Sequence, residues 1–311
     1  MVEPPLTSFH WFGKSSQESV TFVRMNVSLK VDLLLLAVGV FAGAVGALVG
    51  IGGGIIVVPS LVVGFGYEIR TAVAASLVAV VATSAAAGIT YAREGLTNLR
   101  LGLTLEIATT IGGVTGGLVA VSITPSVISG VFSVVMVVVA VLMWRHTDER
   151  HISSPVHAPT PSAGSGFKLS SGYFDQAAGR SISYEPRRLG VGLSVSSLAG
   201  ILSGLLGVGG GFLKVPAMTI AMGVTTKAAA ATSNFMVGIT AVASLVIYLS
   251  RGFVQPAVVV PVTIGIVAGA VGASRITNRV SGVQVQRVLA VILILVAVQM
   301  SLESMGVNFY G

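Results

Sequence analysis

The chain contains no cysteine, which excludes disulfides, thiolate metal sites and cysteine nucleophiles together. Charge is almost as scarce. Only 9% of residues are Asp, Glu, Lys or Arg, against about 25% in an ordinary soluble domain. Aromatic residues make up 6% and do not interleave with the basic ones, so the net charge of +7 does not describe a nucleic-acid surface. The basic residues lie mainly at the ends of apolar runs, where membrane orientation accounts for them. His146, His151 and His157 share one polar stretch at spacings that fit no compact metal pattern, and no nucleophile–base–acid constellation stands out. The chain is therefore read as no enzyme, with no cofactor and no metal site.

What the sequence has in abundance is apolar length. Hydrophobic residues account for 53% and mean hydropathy is +0.92. Apolar segments run over 33–64, 72–92, 101–122, 125–144, 189–223, 226–249, 254–274 and 284–302, most of them long enough for the roughly 20 residues that cross a bilayer. The expected fold class is an all-α polytopic membrane protein of about eight transmembrane helices. Residues 1–30 lack the continuous apolar core of a signal peptide and read as a disordered extension, with Met25 an alternative start. Residues 145–187 are rich in Ser, Pro, Gly and His, carry both signs of charge, and read as a flexible polar linker.

The first and fifth segments are too long for one straight helix, and both contain the same interruption. Gly50-Ile51-Gly52-Gly53-Gly54-Ile55-Ile56-Val57-Val58-Pro59 returns as Gly207-Val208-Gly209-Gly210-Gly211-Phe212-Leu213-Lys214-Val215-Pro216. The offset is 157, and at that offset Gly43 meets Gly200, Arg70 meets Lys227, Ser76 meets Ser233, Thr83 meets Thr240, Tyr91 meets Tyr248 and Gly112 meets Gly269. The chain thus divides into two fused repeats, 31–144 and 188–303, with a tail at 304–311.

If each segment crosses once, the N-terminus and linker share the cytoplasmic side with most of the Lys and Arg, and the repeats are parallel. Arg275, Arg279 and Arg287 then fall on the wrong side. If each glycine segment is a re-entrant hairpin, the repeats are inverted. The charge bias is read as favouring the parallel arrangement.

Clustered glycine inside a membrane run frees backbone groups that lipid cannot satisfy. Such breaks line polar cavities in transporters, where N–H groups and helix dipoles bind anions. The competing reading is close helix packing through small-xxx-small pairs such as Gly200 and Gly204. Three consecutive glycines in each elbow (Gly52, Gly53, Gly54 and Gly209, Gly210, Gly211) exceed what packing needs.

Lys214, three residues beyond the second elbow, is either a fixed positive charge near the substrate or a snorkelling side chain. Glu106 is the acidic residue well inside an apolar segment. It is expected to pair with Lys214, to carry a coupling proton, or to sit at the interface. Ser76, Thr232, Ser233 and Asn234 open the helix after each elbow and offer donors to an oxyanion, or else cap and bond neighbouring helices. Tyr91 and Tyr248 read as interfacial anchors.

The paired Gly-rich segments ending in Val-Pro, each followed by a small-residue helix with Ala74-Ala75-Ser76 or Ala231-Thr232-Ser233-Asn234, resemble the sulfite exporter TauE/SafE family of membrane permeases. The resemblance runs from about Val31 to Ser301. It implies a secondary carrier in the cytoplasmic membrane for export or uptake of small sulfur-containing anions such as sulfite or organosulfonates, with export the favoured direction. It also implies that the six elbow glycines, Ser76, Thr232, Ser233 and Asn234 form the substrate site. Leu77 against Asn234, and Val57 against Lys214, break the symmetry and weight the polar contacts toward the second half. A carrier of another anion or neutral solute and a non-transporting scaffold are the alternatives. The expected partners are the bilayer and a small anion, and a homo-oligomer is left open.

Overall fold

The computed structural model describes residues 14–49, 52–146, 169–175, 180–276 and, apart from 292 and 295, 290–302. Among the described residues the helices run in order: α1 Lys14–Val49, α2 Gly54–Pro59, α3 Ile69–Arg93, α4 Leu99–Ser122, α5 Pro125–His146, α6 Leu189–Leu206, α7 Gly211–Pro216, α8 Thr226–Ser250 and α9 Pro256–Ile276. The described residues between 290 and 302 are helical as well. Among the described residues six helices are long and apolar enough to cross a membrane: those covering Leu29–Ala47, Ile69–Arg93, Leu99–Ser122, Leu189–Leu206, Thr226–Ser250 and Pro256–Ala273.

The helices are apolar on both faces, but with different residue sizes. Large side chains such as Leu33, Ile107, Ile111, Val134 and Ile264 are exposed, which suits lipid, while glycine, alanine and serine face inward. Small inward residues let backbones touch. On α6, a Cβ on Gly204 would lie 2.1 Å from the Gly113 carbonyl oxygen of α4. On α1, a Cβ on Gly43 would lie 2.2 Å from the Ile266 carbonyl oxygen of α9. For Gly200 and Gly204 the packing explanation is therefore correct, and it concerns glycines outside the triplets.

Both elbows interrupt their helices as the sequence implies. Gly53 (φ 61°) and Gly210 (φ 66°) precede α2 and α7 in the left-handed region, where a Cβ is unfavourable. Past each elbow the chain doubles back. Gly210 lies against Ala199, and Gly53 against Ala42, each well before the end of the preceding helix. The returning pieces are short: six α-helical residues and then five in a π-helical turn, Ser60–Gly64 or Ala217–Ala221. That length is about 16 Å, half the roughly 30 Å hydrocarbon core. Pro59 and Pro216 explain the π turns, because proline has no N–H and its ring crowds the carbonyl four residues earlier. Arg187 N–H, just before α6, donates to the Met222 carbonyl just beyond the second π turn. The second returning piece therefore ends on the side where α6 began.

Helix directions follow from the contacts. Along α1 and α9, Gly39 meets Val262 and Gly43 meets Ile266, so these two run parallel. Along α4 and α6, Gly192 meets Leu105 and Gly204 meets Gly113, again parallel. Helices α3 and α8 run antiparallel. Arg70 at the start of α3 stacks over Phe253 beyond the end of α8, whereas Ser84 bonds Asn234 near the start of α8. The element boundaries of α2, α3, α7, α8 and both π turns recur at the spacing of 157, so α3 and α8 are matching elements pointing in opposite directions. Parallel repeats require matching helices to point the same way, and the antiparallel course of α3 and α8 speaks against the preference drawn from charge bias.

The stretch 145–187, expected as a flexible linker, contains a two-stranded antiparallel hairpin, β1 Ser171–Asp175 paired with β2 Arg180–Tyr184. Tyr173 and Tyr184 are buried against Leu101, Leu105, Met218, Met222 and Val224, and Leu169 is buried as well, its carbonyl accepting from Asn98 Nδ2 at 3.0 Å. Two tyrosines and a leucine at the end of a polar segment supply enough apolar surface to dock it. Burial pushes the Tyr184 phenol above its ordinary pKa, so it remains neutral at this contact. Residues 147–168, like most of the N-terminal extension's side chains, lie outside the described residues.

Candidate functional site

The two elbows meet where α3 and α8 cross. Gly52 is directed at Val80 of α3 and Val237 of α8, residues that match at the 157 offset. Ser76 Oγ lies 2.7 Å from the Gly207 carbonyl oxygen and 3.3 Å from that of Gly54, so one hydroxyl on α3 is shared between the elbows. Gly52, Gly53, Gly54, Gly209, Gly210 and Gly211 are all buried.

A second cluster adjoins the second elbow. Lys214 follows Gly210 within the first turn of α7, its N–H donating to the Gly210 carbonyl at 3.2 Å. The side chain is 1% exposed, so it does not snorkel to the surface. Its Nζ lies 3.9 Å from Glu106 Oε2 of α4 and 3.4 Å from Thr240 Oγ1 of α8. Glu106 is 4% exposed and is no interfacial carboxylate. Its Oε1 accepts from Thr240 Oγ1 at 2.6 Å and from Thr110 Oγ1 at 3.1 Å. A buried lysine in a membrane segment needs an opposite charge, and Glu106 supplies it. The cluster can hold or release a small anion, or move a proton at the carboxylate.

The remaining sequence-derived residues divide. Ser233 is buried and its Oγ has no hydrogen-bond partner among the described residues. Thr232 Oγ1 instead accepts from the Asn98 backbone N–H at 3.0 Å, fastening the start of α4. Asn234 Nδ2 donates to the Ser84 carbonyl at 3.3 Å, binding α8 to α3. These two make the interhelical contacts that stood as the alternative to a substrate role.

Thr110 and Thr240 escaped the sequence reading as members of the cluster, and Tyr248 sits elsewhere than the interface expected for it. Thr110 lies four residues beyond Glu106, a helical spacing that brings the side chains together and offered a usable signal. Thr240 matched Thr83 in the repeat, but nothing in one dimension pointed it at Glu106. Tyr248 is fully buried rather than interfacial, and its hydroxyl donates to the Gly204 carbonyl at 3.0 Å. A hollow lined by Thr263, Ile264, Val267, Ala268, Val271 and Gly272 of α9 is apolar. It opens on the lipid-facing surface, and its lining includes no elbow residue.

Comparison with known proteins agrees with this architecture. The chain is 25% identical over 87% of its length to a protein of Bacillus subtilis named "Probable membrane transporter protein YunE", covering 97% of that protein. It is 26% identical over 70% of its length to "Probable membrane transporter protein MJ0441" of Methanocaldococcus jannaschii, covering 72% of it. No solved structure matches. The model of the family described as "Sulfite exporter TauE/SafE" matches residues 35–300, nearly the whole helical part. The chain is thus a multi-pass membrane protein belonging to the TauE/SafE family, whose members are transporters rather than enzymes.

Proposed function

We propose that the protein is a secondary transporter, working as an exporter in the cytoplasmic membrane, for small sulfur-containing anions such as sulfite or organosulfonates. The anion binds where the two elbows meet, and access alternates between the two faces of the membrane around that place. Backbone N–H groups of Gly52, Gly53, Gly54, Gly209, Gly210 and Gly211 line the site, with Ser76 and Ser233 as orienting hydroxyls and Lys214 as the fixed charge. Glu106 carries the coupling proton. The observation that supports this most is the convergence of both broken helices on one hydroxyl, Ser76. Broken helices that meet near the middle of a bundle are a recurrent transporter site.

The two halves, 31–144 and 188–303, are inverted in this proposal, each with three crossing helices and one hairpin that enters and leaves on the same face. Antiparallel α3 and α8 support this arrangement. It also resolves the misplaced arginines. Arg275, Arg279 and Arg287 then join Arg93, Arg100, Lys227 and the basic linker residues on one face, leaving Lys14, Arg24, Lys30, Arg70 and Arg251 on the other. By the positive-inside rule the linker face is cytoplasmic and the N-terminus lies across the membrane from it.

The test is flux. Purified protein in liposomes should move labelled sulfite or a sulfonate faster than protein-free liposomes. Equal rates across a panel of sulfur-containing anions would remove the reading.

A further inference from the structure

Among the described residues, two charged side chains are buried, and they face each other: Glu106 and Lys214. Their contact is incomplete. At 3.9 Å the charges lie beyond hydrogen-bond distance. Both hydroxyl donors, from Thr240 and Thr110, go to Oε1, while Oε2, the oxygen nearest the ammonium, has no hydrogen bond. At the 157 offset, Lys214, Thr240 and Glu106 correspond to Val57, Thr83 and Thr263, so the matching place at the first elbow is uncharged. The fold therefore does not need a charge pair at an elbow, and one elbow has it.

We infer that Glu106 is a tethered anion occupying the anion-binding place beside Lys214, and that a transported anion replaces it only once a proton has neutralised the carboxylate. The inference rests on the anion-carrier reading above and specifies its coupling. With the pair intact the buried charge sums to zero. Adding a monovalent anion alone leaves one uncompensated negative charge, and protonating Glu106 alone leaves the ammonium unpaired. Either state is costly in a low-dielectric interior. Taking both together restores zero: Lys214 pairs with the anion, and the proton sits on Glu106 Oε2, the oxygen without a donor. The Thr240 and Thr110 hydroxyls are then free to turn toward the anion. Loading is electroneutral, one proton per monovalent anion.

Among the described residues, the charged and titratable groups on surrounding elements include Arg100 in the first turn of α4, Arg187 and Arg188 at the start of α6, Lys227 and Tyr248 near the two ends of α8, Arg251 just beyond it, and Tyr173 and Tyr184 of the hairpin docked on Leu101 and Leu105. Lys214 is the one placed to exchange charge with Glu106.

The experiment uses the full chain in liposomes with methanesulfonate, sulfite and isethionate. Methanesulfonate stays ionised across the usable pH range, so its pH dependence belongs to the protein; for sulfite the count is corrected for the anion's own protonation. Wild type should take up one proton per monovalent anion by an internal pH dye. Its flux should rise about ten-fold per unit of acidification on the loading side and should not respond to an imposed membrane potential. Glu106→Gln should lose the pH dependence and the proton uptake, and its anion flux should become potential-sensitive. Glu106→Gln retaining wild-type proton uptake would overturn the inference, as would potential-driven wild-type methanesulfonate flux without protons. No wild-type flux of any of the three anions would instead overturn the anion-carrier reading itself.

Discussion

The Ser76 hydroxyl on α3 donates to the carbonyl of Gly207 across 131 residues of sequence, at 2.7 Å. The bond ties a helix of the first half to the helix break of the second. A carbonyl freed by a helix break inside a bilayer has no water to turn to, so its partner must come from the protein. Ser76 is that partner, and it stands within 3.3 Å of the other elbow's Gly54 carbonyl as well.

Replacing Ser76 with alanine should therefore cost more than an ordinary surface change. It leaves a buried carbonyl without its donor, a loss of about 1–3 kcal/mol. Thermal unfolding of the purified variant in detergent should show a lowered midpoint, and liposome flux should fall. An unchanged midpoint would mean that Gly207 does not depend on this bond.

Gly210→Ala tests the elbow backbone directly. The residue has φ 66°, and a Cβ there would stand 2.6 Å from the Ala199 carbonyl oxygen, so strain and clash act together. The left-handed conformation alone costs a non-glycine residue roughly 1–2 kcal/mol. Transport should be abolished or nearly so. Gly88→Ala is the control, because nothing lies within 4 Å of a Cβ at that position. Equal activity of the two variants would show the elbow to be indifferent to its glycine.

Tyr248→Phe separates a buried tie from an interfacial anchor. The tyrosine hydroxyl satisfies Gly204 at 3.0 Å in the last turn of α6, where helix carbonyls lack intrahelical partners. Its loss should lower stability by about 1–3 kcal/mol, read as a shifted midpoint in the same detergent assay. A tyrosine anchored in headgroups would tolerate phenylalanine with little change.

The inverted arrangement predicts that the N-terminus and the linker lie on opposite faces. No native thiol competes in this chain, so single cysteines report cleanly. Ser170→Cys should be protected from an impermeant maleimide added to intact cells, and Lys30→Cys, exposed near the start of the first span, should react. Labelling of both from the same side would return the protein to parallel halves.

Much of the architecture was legible in one dimension. Eight apolar runs, two Gly-Gly-Gly breaks and the 157-residue spacing follow from local chemistry, since hydrophobic length and glycine clusters act on the residues that carry them. Lys214 and Glu106 were each conspicuous as charges in apolar surroundings. The hairpin at 171–184 was missed because its strands are short and its stabilising surface, around Met218 and Met222, lies elsewhere in the chain. Thr232 and Asn234 looked like ligands because their polar groups sit in an apolar helix. Their partners, Asn98 and Ser84, could be assigned only in three dimensions.

The sequence by itself determined that the chain lives in a membrane, where its helices break, and which two side chains must find compensation for charge. These follow from solvation, which each segment experiences through its own composition. Only the tertiary structure decided that α3 and α8 oppose one another, that Ser76 serves both elbows, and that Glu106 rather than the lipid surface answers Lys214. Direction and pairing depend on which backbones approach closely enough to touch, and that is a property of helices packed together rather than of any segment alone.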